Sequence, residues 1–339
     1  MTTGTSNSPG PIARVAPALV LVVLSPLVAE FLLADFTVRN LPLLLALLPL
    51  YGGGALLVRE VTRRRGRGWP TMLLLALAYA LIEEVFLTQS LFNPDYVHKR
   101  LLDYGYLPAL GTSLNWTFFV LSIHVVWSVA TPILIAEGLA GGRRVTPWLK
   151  GVGLTVTAVL YLLGCALIAS FSWKASPFVA SRAQFGVSAG LVALTLVVAF
   201  WAFDRVDAPS VPASSSTAPS LALVSASTLV LASAYLASEG YARSRGFNPA
   251  APLVFRLACE AVALALLSRW ARRRDWTPRH YLAIAAGTTL TYFLFGLDVV
   301  MGGHTNLGAP TNAVDVAGQL AFGVATFALI AFAARRRPY

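Results

Sequence analysis

Glu83 and Glu84 stand side by side in the apolar stretch AYALIEEVFL, Glu30 closes an earlier apolar run, and His124 lies in a third. Paired carboxylates in a low-dielectric site titrate as a coupled set, and one of them can act as a general base toward water. A nearby imidazole supplies the complementary acid or steadies a developing oxyanion. Successive helical residues point about 100° apart, so the two acids cannot both face one partner squarely. Glu84 shares a face with Thr88, and Tyr79 sits one turn before Glu83. On the next apolar stretch, His124, Ser128 and Thr131 follow i, i+4, i+7 spacing and make one polar stripe, with Trp127 beside it and Pro132 available to kink the helix. The expected catalytic residues are Glu83, Glu84 and His124. Glu30, Tyr79, Thr88, Trp127, Ser128 and Thr131 are expected to line their cavity.

The elements that must hold these groups are set by composition. The 339 residues are 57% hydrophobic and only 12% charged, with mean hydropathy +0.69, whereas soluble domains carry about 25% charged residues. Crossing about 30 Å of hydrocarbon takes roughly 20 mostly apolar residues, and such runs fill the chain. Spans are expected at 16–36, 41–59, 70–92, 117–140, 150–171, 185–203, 219–238, 250–268, 280–301 and 312–334. The fold class is therefore an all-α, polytopic bundle of about ten spans. The first run is too long for a signal-peptide core and lacks a small-x-small cleavage site, so it is expected to remain as a span. The two cysteines, Cys165 and Cys259, fall within apolar runs and define no disulfide framework.

The net charge of +11 does not indicate nucleic acid, because the basic residues sit in short runs between apolar segments. With the amino terminus inside, the inner segments collect 18 of the 26 lysines and arginines, including Arg63–Arg65, Arg143–Arg144, Arg272–Arg274 and Arg335–Arg337, against 7 outside. That asymmetry predicts an even number of spans and both termini in the cytoplasm of a cell whose plasma membrane holds the protein. Residues 1–15 are then a cytoplasmic tail, 16–204 a six-span half carrying the polar cluster, and 205–218 a Ser/Pro/Ala-rich linker. Residues 219–334 form a four-span half, and 335–339 a basic tail. The longest outer loop, 93–116, carries Tyr96, Tyr104, Tyr106 and Trp116, which suit an aromatic belt at the interface.

Other polar residues read as structural. Arg256 and Glu260, four apart, are expected to pair with one another. Glu137 lies near the cytoplasmic end, within reach of water. Asp298, His304 and Asp315 gather at the outer end of the last two spans, either solvated or completing the cluster. Ala317, Ala321 and Ala325 make a small-residue face for close helix packing. No HExxH, phosphate-binding loop, nucleophile elbow or zinc-type cysteine pattern occurs.

The stretch Ala78–Pro94 (AYALIEEVFLTQSLFNP) resembles the first motif of the CPBP family, polytopic membrane proteins that include CAAX-prenyl endopeptidases and bacteriocin-processing or immunity proteins. Glu83 and Glu84 match its paired acids, and His124 matches the histidine of its second motif. The resemblance implies a water-activating glutamate and a histidine acting on a peptide bond near the membrane, in a peptide or lipidated substrate, with the metal requirement left open. The sequence departs from the pattern in having Thr88 where the arginine belongs and Val120 where the phenylalanine belongs, and no later span supplies a third histidine motif. A membrane-embedded hydrolase is the leading expectation. A proton- or cation-coupled carrier and a non-catalytic scaffold or immunity-type protein are the alternatives. The partners expected are the lipid bilayer and such a substrate, with no nucleic acid.

Overall fold

Lipid offers no partner for a backbone N–H or C=O, so apolar runs of this length satisfy their own hydrogen bonds as helices. A computed structural model describes residues 11–203 and 216–336 of the chain. It is almost wholly helical: α1 (Val15–Phe31), α2 (Leu43–Arg64), α3 (Trp69–Leu87), α4 (Leu114–Arg143), α5 (Gly151–Ala175), α6 (Arg182–Trp201), α7 (Leu221–Ser244), α8 (Ala250–Trp270), α9 (Pro278–Met301) and α10 (Ala313–Arg335). All but α1 are long and apolar enough by themselves to cross a membrane. The expected linker at 205–218 lies largely outside the described residues. Helix starts follow ordinary capping chemistry. Ser113, Ser181, Ser220 and Asn312 accept backbone N–H bonds at the starts of α4, α6, α7 and α10. Pro278 opens α9, where its missing N–H costs nothing.

The middles of α2, α3 and α4 are 61% buried, whereas those of α5 to α8 reach at most 22%. The former are therefore the core, and the latter present leucine and valine to lipid. Helix α1 packs between α2 and α4, α5 lies along α2 and α3, and α6 lies on α3. Helices α9 and α10 close the other side against α4, with α7 on α9 and α8 on α7. The approach of α1 to α2 depends on Gly52, since a Cβ there would run into the carbonyl oxygen of Val22.

Four spans are not continuous α-helix. Each of α1 to α4 contains a π-helical stretch: Leu27–Phe31, Leu48–Gly52, Glu83–Leu87 and His124–Ala130. The i→i+5 pattern widens the turn and changes which residues share a face.

Several expectations require correction. Glu137 does not reach water: it is buried and accepts a two-pronged bond from Arg63 (2.8 and 2.7 Å) and one from Arg59 (3.1 Å). Arg59 also bonds Glu60 and lies 3.4 Å over the Trp148 ring, which ties α2 to α4 at the arginine-rich end. Arg256 does not pair with Glu260. It bonds Glu239 on α7 at 3.1 Å and the Asn115 carbonyl at 3.2 Å, while Glu260 accepts from Ser122. Their spacing allowed a pair, but the buried guanidinium is drawn to a neighbouring helix that fills more of its donors. The alanines of α10 are not its packing face: Ala317, Ala321 and Ala325 are exposed. The buried face carries Gly318, Gln319, Gly323 and Thr326, with Val38 against Gly318 and Phe293 against Gly323. Both faces are small in sequence, and only the neighbours select one. The 93–116 loop contains a short hairpin, β1 (Tyr106–Leu107) with β2 (Thr112–Ser113).

Candidate functional site: a buried Glu–Glu–His cluster

The π turn of α3 presents Glu83 and Glu84 to α4, and the π turn of α4 starts at His124. The imidazole lies between the two carboxylates. Its Nε2 is 2.7 Å from Glu84 Oε1, and its Nδ1 is 3.6 Å from Glu83 Oε2 and 3.2 Å from Ser128 Oγ. All three residues are at most 6% exposed. Glu84 is held on its other oxygen by Thr88 Oγ1 at 3.1 Å and by Ser90 Oγ, and Trp116 Nε1 donates to Ser90 at 3.1 Å. Glu84 is thus fully engaged, whereas Glu83 Oε2 accepts no hydrogen bond from a described residue.

Two tyrosines wall the cluster. Tyr51, in the π turn of α2, stacks on His124 with ring centroids 6.0 Å apart and planes 27° apart. Tyr79 meets the same ring edge-on at 6.2 Å, and its hydroxyl has no partner among the described residues. Glu30, in the π turn of α1, interacts electrostatically with Glu83 and His124, and Asp35, in the turn that follows, with His124. Burial pushes the Asp35 carboxyl up to about 6, against the opposing effect of a hydrogen bond with Asn306. Every π stretch therefore carries a residue of the cluster or its wall. A π turn sacrifices regular α hydrogen bonding and persists where it positions a side chain, so functional sites are its common location.

The remaining expected lining residues divide. Thr88 and Ser128 bond directly to the cluster. Trp127 and Thr131 turn instead to α9: Trp127 Nε1 donates to the Thr288 carbonyl at 2.8 Å and its ring stacks on Tyr292 at 4.4 Å, while Thr131 Oγ1 lies 2.8 Å from Thr288 Oγ1. The wider turn starting at His124 carries Thr131 off the stripe that α spacing would have made. Asp315 pairs with Arg39 at 2.8 Å, His304 faces the Thr305 carbonyl, and Asp298 is exposed, so these three stay apart from the cluster. Sequence reasoning missed Tyr51 and Ser90. Tyr51 is an aromatic in an aliphatic run and gives no spacing signal. Ser90 lies six residues after Glu84, a separation that only the break after α3 brings together.

A cavity of about 410 Å³ opens beside the cluster between the end of α3 and the end of α5, lined by Thr88, Gln89, Ser172 and Lys174 with Phe86 and Trp173. Thr88 joins the two, since its hydroxyl bonds Glu84 from the cavity wall. Glu83, Glu84 and His124 each offer one ligand atom, and the three atoms lie within 4.8 Å of one another, so these residues are able to hold a metal ion.

A family model described as "Uncharacterized membrane protein family" matches residues 19–336, nearly the whole chain. No curated protein matches, and no solved structure matches.

Proposed function

Because the chain belongs to an uncharacterized membrane protein family, whose description names no reaction, we propose its function from the site: a membrane-embedded hydrolase that activates water between Glu83 and His124. The observation carrying this reading is the 2.7 Å contact of His124 Nε2 with Glu84 Oε1, beside a Glu83 oxygen that accepts no hydrogen bond from a described residue. Glu84 is held by three partners, which fits it to orient the imidazole. Glu83, with a free lone pair, accepts the proton of a water molecule. His124 then protonates the leaving group or steadies the oxyanion. The same division of labour, two acids and a histidine, is what the CPBP resemblance implies, and it favours a peptide or lipidated substrate entering from the bilayer through the cavity at Thr88. The arginine-rich end is cytoplasmic in this reading, with both termini there and the plasma membrane as the site of residence.

The test compares membranes of cells producing wild type, Glu83→Gln, His124→Ala and Thr131→Val at equal protein levels, with peptide and lipid species surveyed by mass spectrometry. Cleavage products present with wild type and Thr131→Val but absent from the two site variants are expected. Identical profiles in all four would overturn the proposal. One observation favours a second reading: Glu30 and Asp35 extend the titratable groups beyond the cluster, as a proton-coupled carrier requires. That reading takes over if proteoliposomes show proton flux that collapses in Glu83→Gln while no product forms.

A further inference from the structure

The charge around His124 does not balance. Glu83 and Glu84 are 2% and 5% exposed, and His124 is the only cationic partner of either in an ion pair among the described residues. Burying a charge without compensation costs several kcal/mol even after relaxation (about that order). Thr88 stands one turn beyond Glu84, so no guanidinium enters there to offset the second carboxylate. Elsewhere in the molecule buried acids are neutralised by arginine: Glu137 by Arg59 and Arg63, Asp315 by Arg39. Among the described residues the cluster is the exception.

We infer that Glu83, Glu84 and His124 together bind a divalent transition-metal ion. This rests on the hydrolase reading only for its use, and on the side chains themselves for its existence. With the ion bound, His124 would be a neutral ligand, and the ion would polarise the water and steady the oxyanion in its place. Glu83 would keep one oxygen to take the water's proton. A dication with a neutral imidazole cancels both carboxylate charges. The three ligand atoms lie within 4.8 Å of one another, a spacing that one ion with bonds of about 2.0–2.2 Å can gather by small side-chain rotations. Glu83 Oε2 is buried and accepts no hydrogen bond from a described residue, and the Tyr79 hydroxyl beside it makes none either. Two carboxylates and one imidazole suit zinc, manganese or ferrous iron, and are a poor set for copper(I), which takes soft thiolate or thioether ligands. Three protein ligands leave a position open for water, as catalytic sites do and structural ones do not. Thr88 and Ser90 hold the second oxygen of Glu84 and Ser128 the second nitrogen of His124, the outer bonds that orient ligands.

The full-length chain is purified in detergent, its metal measured by plasma mass spectrometry, and cobalt(II) titrated into the stripped protein while visible absorption and melting temperature are followed. Wild type and Thr131→Val are expected to hold about one metal per chain, to give cobalt d–d bands, and to melt higher with cobalt than without. Glu83→Gln and His124→Ala are expected to bind at least about tenfold more weakly. Glu83→Gln is isosteric, and its unliganded melting temperature shows whether it has folded. Absence of metal and of cobalt bands in folded wild type overturns the inference, as does undiminished binding in folded Glu83→Gln. Metal bound without any hydrolysis product would sink the hydrolase reading alone. Product formed by metal-free protein would sink the metal alone.

Discussion

Glu84 receives bonds from His124, Thr88 and Ser90, so its position is over-determined, while Glu83 at the next residue is left free on one oxygen. That asymmetry between neighbours is where the proposed chemistry resides, and Ser90→Ala probes it. Loss of the hydroxyl leaves Glu84 short of a donor and Trp116 Nε1 without an acceptor. We expect a loss of stability of about 1–3 kcal/mol, read as a lower melting temperature. Far from the site, Glu137→Gln removes the carboxylate charge and one of its two accepting oxygens, and leaves the buried Arg63 guanidinium without its ionic partner, at a cost of about 3–5 kcal/mol. A melting temperature unchanged by that substitution would refute the buried-pair account. Asp35 gives a pH-dependent outcome. Its folded carboxyl is raised to about 6 from 3.8, so its contribution is fully present below the lower value and is lost as pH rises through about 6. Asp35→Asn is therefore expected to gain stability relative to wild type above that pH and to show no such gain near pH 4, in thermal melts across that range.

Four π stretches, one in each of α1 to α4, do at the element scale what no single side chain does. Inserting a wide turn lets His124 face the carboxylates with Ser128 on its Nδ1 while Thr131, three residues further, bonds α9. Deleting Val126 is expected to convert the turn to regular α-helix and to rotate the part of α4 before it by about 100° relative to the part after it. His124 would then leave Glu84, and both cobalt bands and product would disappear, whereas Val126→Ala should retain both. If the deletion variant folds and still binds cobalt, the π turn is not what positions the imidazole. The α1–α2 contact is tested by Gly52→Ala, which forces the backbone of Val22 away and should lower the melting temperature, since that obstacle is backbone and cannot rotate aside.

For the whole molecule, orientation is the outstanding quantity. With both termini cytoplasmic, Lys99→Cys should react with a membrane-impermeant thiol reagent on intact cells, and Arg144→Cys only after the membrane is opened; the reverse pattern would invert the topology. Composition and periodicity were enough to show an all-helical multi-pass bundle, because the hydrocarbon thickness imposes a run length that is visible residue by residue. Each expected span overlies one helix, closely at 280–301 and Pro278–Met301, while the expected ends at 36, 59, 92 and 238 miss Phe31, Arg64, Leu87 and Ser244 by five or six residues. The ionisable residues were legible for the same reason: Glu83, Glu84 and His124 stand out against aliphatic neighbours. What the chain could not show is which partner each polar group takes. Arg256 had Glu260 at a suitable spacing and took Glu239. Ala317, Ala321 and Ala325 offered a packing face, and Gly318 and Gly323 supplied it. Local spacing reports only what one helix presents, on the assumption of a constant 3.6-residue turn. The packing of ten helices decides which neighbour meets each face, and the π turns break that assumption at the four places that build the candidate site.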